Sequence, residues 1–119
     1  LQPIYDLEAP RMAIGRVALI GDAAFVVRPH VGAGVTKAAD DAAALTEALS
    51  AHDDMASALA AFEAQRLAVG RIFIARARRL GSHIRRSFAN AAEEAAAAIN
   101  ADPAYAMAET AQLDFLAKK

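Results

Sequence analysis

The sequence contains no cysteine, which excludes a disulfide framework and any thiolate metal site. Its three histidines, His30, His52 and His83, are spread too widely in sequence to suggest a metal cluster, and no metal is expected. An excess of charge of either sign is lacking as well. The 13 Lys and Arg are matched by 14 Asp and Glu, a balance with no general attraction to nucleic acid or to an anionic membrane. No apolar run approaches the roughly 18–20 residues that cross a bilayer, and nothing resembles a signal peptide. No internal repeat is visible. These absences lead to the expectation of a soluble, cytoplasmic domain.

At 119 residues the chain is one domain's worth at most. Its 56% hydrophobic content overstates its power to form a core, because much of it is alanine, which favours helix but buries little area. The chain opens on Leu1 without a methionine and is soon in apolar sequence at Ile4-Tyr5. It reads as a fragment of a longer protein.

The periodicity describes a mainly helical chain with one or two short strands. Residues 3–7 suit a short extended segment. Arg16-Val17-Ala18-Leu19-Ile20 is a short apolar run stopped by Gly21, which predicts a strand buried on both faces, as in a parallel sheet. Such a strand needs neighbours, and no other run of that kind is present, so a partner segment is expected. Residues 21–34, punctuated by Gly21, Pro29, Gly32 and Gly34, read as turn and loop. Apolar spacings of three and four predict a helix over residues 35–49. Asp53 or Asp54 is a candidate N-cap for a long second helix over about 55–80. Its stripe is Leu59, Phe62, Val69, Phe73, Leu80 and Ile84, with Gly70 and Gly81 as weak points or ends. Residues 88–99 form an alanine-rich helix with Glu93-Glu94 outside. A last helix over 103–116 starts at Asp102-Pro103, a cap followed by proline at the first helical position.

The chemistry is expected between Gly15 and Leu49. A strand ends at Gly21, where the backbone can turn and approach a ligand closely. Asp22 follows at the carboxyl end of that strand, the edge where ligands sit in open α/β folds. A carboxylate there suits the hydroxyls of a ribose or ribityl chain and is a poor partner for phosphate. The Pro29, Gly32 and Gly34 loop then opens into a helix. That N-terminus offers free N–H groups and partial positive charge to a flat heterocycle that develops negative charge.

Several features occur together: the apolar strand, Gly21-Asp22-Ala23-Ala24, a Pro-x-x-Gly-x-Gly loop over Pro29 to Gly34, an alanine-rich helix start and the acidic pair Asp40-Asp41. The combination resembles the second FAD fingerprint of the flavoprotein aromatic hydroxylases, the para-hydroxybenzoate hydroxylase family of group A monooxygenases. The likeness is strong over residues 15–49 and loose beyond. It implies that residues 1–50 are the C-terminal segment of an α/β, Rossmann-like FAD-binding domain and residues 51–119 a helical C-terminal region. It implies FAD as cofactor, NADH or NADPH as co-substrate, and hydroxylation of an electron-rich aromatic ring through a flavin hydroperoxide. Carried over residue by residue, Asp22 hydrogen-bonds the ribityl chain. Pro29 lies beside the isoalloxazine ring and near the substrate. Backbone N–H groups around Gly34, Val35 and Thr36 face the N1–C2=O edge of the flavin. Gly21 and Gly32 complete the cofactor-binding set. Most relatives carry His after Gly-Asp-Ala-Ala, whereas this chain has Phe25, then Arg28-Pro29-His30. That departure resembles the branch that includes 2,6-dihydroxypyridine 3-monooxygenase, which adds nitrogen heterocycles to the expected substrates and puts the usual histidine's role in doubt.

Each residue also has a plainer reading. Asp22 would serve as a turn aspartate capping local N–H groups. His30 and Arg28, the only catalytic candidates, would be a backbone-bonded loop histidine and a solvated arginine. Asp40-Asp41 is favourably placed at a helix start without any ligand. The cluster Arg71, Arg76, Arg78, Arg79, Arg85 and Arg86 lacks aromatic interleaving, so a solvated, ion-paired helix face is expected in place of a nucleic-acid surface. Phe62, Phe73 and Phe88 suit core or interface packing.

The Gly-x-Gly-x-x-Gly strand–turn–helix that the family uses for the ADP half of FAD is absent. The chain alone is therefore expected to be inactive and to hold FAD weakly, and its expected partner is an N-terminal FAD- and substrate-binding portion of the same protein. A small aromatic substrate and a homo-oligomer are also expected. Two competing readings are a non-enzymatic helical module that self-associates through exposed apolar stripes, and a same-fold flavoprotein with other oxidative chemistry.

Overall fold

The computed structural model describes residues 5–84 and 87–111. The chain is mainly helical with short strands. The strands are β1 (Leu7–Glu8), β2 (Ala13–Ile14), β3 (Val17–Ala18) and β4 (Phe25–Val26). The helices are α1 (Gly34–Ala51), α2 (Met55–Leu80), α3 (Ala91–Asn100) and α4 (Pro103–Ala111). Short 3-10 turns stand at Gly21–Ala23, Pro29–Val31 and Gly81–Ile84.

β1 pairs antiparallel with β4, Leu7 opposite Val26 and Glu8 opposite Phe25. β2 and β3 form a hairpin with Ile14 opposite Val17. Gly15 takes a left-handed φ of 60° in the two-residue turn between them, which lets the hairpin close tightly. The expected strand over residues 16–20, buried on both faces, is corrected here. Only Val17 and Ala18 pair; Val17 is 61% exposed and Ile20 39% exposed. A parallel strand is covered because crossover helices pack on both faces of its sheet. Among the described residues this segment has one antiparallel neighbour and no such cover.

Residues 52–54 join α1 to α2, and Asp54 caps α2 by accepting a hydrogen bond from the Ser57 N–H at 2.9 Å, a contact worth about 1 kcal/mol. The two helices pack on each other with the β4 segment against them. Their shared core is Met12, Ala24, Phe25, Ala44, Ala48, Phe62 and Ile74. Alanines on α1 allow close approach, and the rings of Phe25 and Phe62 fill the space between. Burying each ring stabilises by roughly 1.5–3 kcal/mol relative to exposing it. A smaller cluster, Val31, Ala33, Phe73 and Ala77, lies under the Pro29 turn.

The stripe of α2 is buried at Leu59, Phe62, Phe73 and Leu80. Ile84, expected to extend it, is 61% exposed. Gly81 ends α2 by donating its N–H to the Ala77 and Arg79 carbonyls, and the tighter 3-10 pitch that follows turns Ile84 off the face. α3 starts at Ala91, three residues later than expected, because Asn90 accepts the Glu93 N–H at 2.9 Å while Glu93 reaches back to the Ala89 N–H at 3.2 Å, a variant of the capping box. Phe88 is left half-buried ahead of the helix. Asp102 accepts the Ala104 N–H at 2.9 Å, and Pro103 opens α4. The expected end of that helix at Leu116 lies outside the described residues. Among the described residues no helix is long and apolar enough to cross a membrane.

Glu63 ties the β2 edge to α2. Its carboxylate accepts the Met12 and Ala13 N–H groups, each at 2.7 Å. The Ala13 bond outweighs the opposing effect of burial, the Met12 bond and Arg11 add to it, and the carboxyl is held below its usual range. Burial pushes Asp6 up, but Arg78 and Arg28 overcome it and Asp6 also lies low. A carboxylate depressed in the folded state contributes stability above its unfolded value, near 4, and loses it as pH falls through the lower folded value. The melting temperature should therefore fall as pH drops from about 5 to about 3, and Glu63→Gln should flatten that decline. A parent protein whose melting temperature is constant over that range would contradict the assignment.

Candidate functional site

Gly21 is selected twice over. Its φ of +59° is left-handed, and an added Cβ would stand 3.2 Å from the Ala38 Cβ on α1. The 3-10 turn that begins there leaves Gly21 and Ala24 buried and Asp22 exposed. Past β4, Pro29 starts the next 3-10 turn, its ring presetting the backbone angle. Gly32, at φ 63° and ψ 15°, donates its N–H to the Pro29 carbonyl at 3.0 Å and redirects the chain into α1. Ala33 occupies the N-cap of α1 with no side-chain acceptor, and no acidic residue stands in the first turn. The first N–H groups of α1 thus keep their donor capacity and the partial positive charge of the helix end.

Asp22 and this helix end border one cleft of about 310 Å³, at the small end of the range for ligand sites. Val27, Val31 and Phe73 form its apolar wall. A Cβ added at Gly34 would meet nothing within 4 Å, so the backbone is bare there.

Of the residues singled out from the sequence, Asp22, Arg28, Pro29, Gly32, Gly34 and Val35 line this cleft. Gly21 lies behind Asp22 against α1, and Thr36 is exposed outside the lining. The backbone of His30 belongs to the Pro29–Val31 turn; its side chain lies outside what the structure describes. Arg28 is neither free nor merely solvated. It binds Asp6 at 3.1 Å through both Nε and Nη2, and Arg78 Nε holds the same carboxylate at 3.0 Å.

Three charged side chains, Lys37 in the lining of the cleft and Asp41 and Arg66 behind it, form a group that was not legible in the sequence. Asp41, read from the sequence as part of the fingerprint's acidic pair at a helix start, is 2% exposed as a whole residue, Lys37 2% and Arg66 7%. Asp41 accepts the Gly21 N–H at 2.9 Å and Arg66 Nε at 2.7 Å, and Lys37 Nζ lies 3.5 Å away. Lys37 Nζ also donates to the Gly21 carbonyl at 2.9 Å. The available signal was the Lys37-to-Asp41 spacing of one helical turn. Arg66 interrupts the apolar stripe of α2 without any local sign of its partner. Phe73 was read as core, and it is; its part in the cleft wall depends on where α2 meets the Pro29 turn.

Phe25 does not reach the cleft. It is 1% exposed in the core, and a Cβ on Gly70 would come within 2.4 Å of its ring. Gly70 is therefore a packing requirement of α2 as well as a weak point in it. The arginine face is ion-paired where described: Arg71 with Glu8, Arg78 with Asp6, and Arg76 and Arg79 with Glu109. Arg85 and Arg86 lie outside the described residues.

The FAD binding domain family matches residues 4–77. The chain is 37% identical over 81 residues to 2,6-dihydroxypyridine 3-monooxygenase of Paenarthrobacter nicotinovorans, covering 68% of this chain and 20% of that protein. The chain belongs to the FAD-binding monooxygenase family. Kynurenine 3-monooxygenase of Xanthomonas oryzae pv. oryzae is 56% identical over 52 residues, 44% of this chain and 11% of that protein. Among solved structures, 2,6-dihydroxypyridine-3-hydroxylase from Arthrobacter nicotinovorans superposes with a TM-score of 0.64 at 36% identity, over 75% of this chain and 24% of that one. The chain thus spans about a fifth of the length of its dihydroxypyridine relatives. The FAD-binding match takes in β1–β4, the cleft, α1 and the Lys37–Asp41–Arg66 group, and ends within α2. α3 and α4 lie beyond it.

Proposed function

We propose that this chain supplies the ribityl- and ring-facing part of the FAD site in a monooxygenase that hydroxylates an electron-rich aromatic or N-heteroaromatic substrate, with NADH or NADPH and O₂ as co-substrates. The observation that carries the reading is the pairing of the exposed Asp22 carboxylate with the uncapped N-terminus of α1 across one apolar cleft. That donor set fits the flavin half of FAD: a carboxylate for hydroxyls, bare N–H groups for an electron-rich ring edge, and an apolar wall for a flat ring.

FAD, when bound, supplies the redox chemistry and the activation of O₂. The chain's residues bind and orient. Asp22 accepts hydrogen bonds from the ribityl hydroxyls. The N–H groups of Gly34, Val35 and Thr36 stabilise negative charge as it develops at the ring edge, which is electrostatic work done without reorganisation. Val27, Val31 and Phe73 exclude water from that wall. Arg28, steadied by Asp6, holds a positive charge at the cleft where an ionised phenol or heterocycle would approach. The names of the dihydroxypyridine relatives support a nitrogen heterocycle as substrate. The exposed apolar residues Ile14, Val17 and Ile20 support a further FAD- and substrate-binding portion packed against the strands, without which residues 1–119 hold FAD weakly.

The test is Asp22→Ala in the full-length protein. Loss of a charged hydrogen-bond acceptor should weaken FAD binding by roughly ten- to a hundredfold, measured as the dissociation constant after removal and titration of flavin. Unchanged FAD retention through gel filtration would defeat the assignment.

A further inference from the structure

Gly21 is held at both of its peptide bonds by side chains of α1, one of which is anchored in turn from α2. Asp41 Oδ2 takes the N–H of the Ile20–Gly21 peptide at 2.9 Å. Lys37 Nζ donates to the carbonyl of the Gly21–Asp22 peptide at 2.9 Å. Arg66 on α2 anchors the other Asp41 oxygen at 2.7 Å. All three side chains are nearly excluded from solvent, at 3%, 4% and 7% exposure for Lys37, Asp41 and Arg66. Arg66 Nη2 has no hydrogen-bond partner among the described residues.

Helix packing alone does not explain this group. Two cations share one carboxylate, and a donor is left over. Burying charge this way carries a large desolvation cost that the pairing must offset. An apolar trio would pack α1 on α2 without that cost, but it would leave the N–H of Gly21 unpaired and its C=O with only the Ala24 N–H at 3.2 Å. A left-handed glycine is also the residue whose backbone has most freedom to lose. The next residue is Asp22, and the Gly21–Asp22 peptide plane sets the direction in which its side chain leaves the backbone.

We propose that Lys37, Asp41 and Arg66 are positioning residues. Together they form a buried charge clamp that locks the Gly21 peptides and so aims the Asp22 carboxylate into the cleft. Lys37 holds the plane that carries Asp22, Asp41 holds the plane before it, and Arg66 fixes Asp41 from α2. The inference rests on the reading of Asp22 as a ligand of FAD.

A double-mutant cycle in the full-length protein separates the two ideas. Lys37→Met is the mild probe, because it leaves Asp41 and Arg66 as a balanced pair. In the parent background it should raise the FAD dissociation constant by about tenfold, the loss of one charge-assisted positioning bond. In an Asp22→Ala background the same change should shift it by less than about twofold. Equal shifts in both backgrounds would overturn the clamp as a device acting through Asp22. No shift from Lys37→Met, with a clear loss from Asp22→Ala, would overturn the clamp and leave the FAD reading standing. No loss from Asp22→Ala would remove both.

Amide hydrogen exchange of the apoprotein gives a readout independent of flavin. Lys37→Met should speed exchange in peptides spanning residues 18–24 while α2 peptides keep their protection. Protection lost equally in both regions would mean that Lys37 only holds the fold together, and would overturn the proposal.

Discussion

Asp41→Ala is expected to lower the melting temperature of the protein by about 15–25 °C, or to prevent the folded form from accumulating. The substitution removes the only carboxylate bonded to Lys37 and Arg66 among the described residues and the acceptor of the Gly21 N–H. Two cations are then left in a region where neither has more than a few percent of its side chain in water. Breaking a buried pair in this way costs about 3–5 kcal/mol, against a total stability of about 5–15 kcal/mol for a folded domain. Replacing all three groups at once, with Lys37→Met, Asp41→Leu and Arg66→Met, should recover part of the loss, because an apolar trio carries no charge-desolvation cost but still leaves the Gly21 N–H without its acceptor. Thermal melts of the single and triple variants check both statements. A single Asp41→Ala variant that melts within about 2 °C of the parent, well under the 4–8 °C that 1 kcal/mol moves a small domain, would show that the network contributes little to stability.

Gly70→Val is expected to destabilise by about 3 kcal/mol, the upper part of the range for overpacked cores. A Cβ at this position would lie 2.4 to 2.6 Å from three atoms of the Phe25 ring. The ring cannot move aside cheaply, since it is packed with Met12, Phe62 and Ile74. Valine is only a slightly better helix former than glycine, by a few tenths of a kcal/mol, so propensity offers no useful offset. The consequence reaches the cleft, because Phe25 lies on β4, just ahead of the residues that form the cleft wall. Gly70→Val combined with Phe25→Leu should be less destabilised than the sum of the two single changes, with a coupling of about 1 kcal/mol or more. Denaturant unfolding of the four proteins measures this. Strict additivity, or a Gly70→Val variant as stable as the parent, would mean that α2 and β4 do not meet as described.

The same contact revises what Phe25 means. In the sequence it stood out as a departure beside the flavin fingerprint. In the fold it is a core residue whose partner, Gly70, lies 45 positions further along. Of the residues that follow Phe25, Arg28 and Pro29 line the cleft itself, and Arg28 is shaped by Asp6, which carries no motif.

Local features were determined by the sequence alone. The α2 helix over residues 55–80, a cap for it at Asp53 or Asp54, the Asp102-Pro103 start of α4 and the left-handed glycines follow from periodicity and from backbone sterics that act within a few residues. The flavin fingerprint was legible for the same reason. Asp22, Pro29, Gly32 and Gly34 are close in sequence, and the turns that bring them to one cleft are local. Tertiary structure alone decided the rest. Whether residues 16–20 were covered depended on neighbours that the run does not itself contain. The burial of Asp41 and Lys37 depended on Arg66 and Gly21, and a charged side chain looks the same in sequence whether it meets water or a counter-ion. Phe73 became a cleft wall, and Gly70 a seat for Phe25, only where α2 crosses the loop segment. Those outcomes are set by packing between distant segments, which leaves no period or spacing to read.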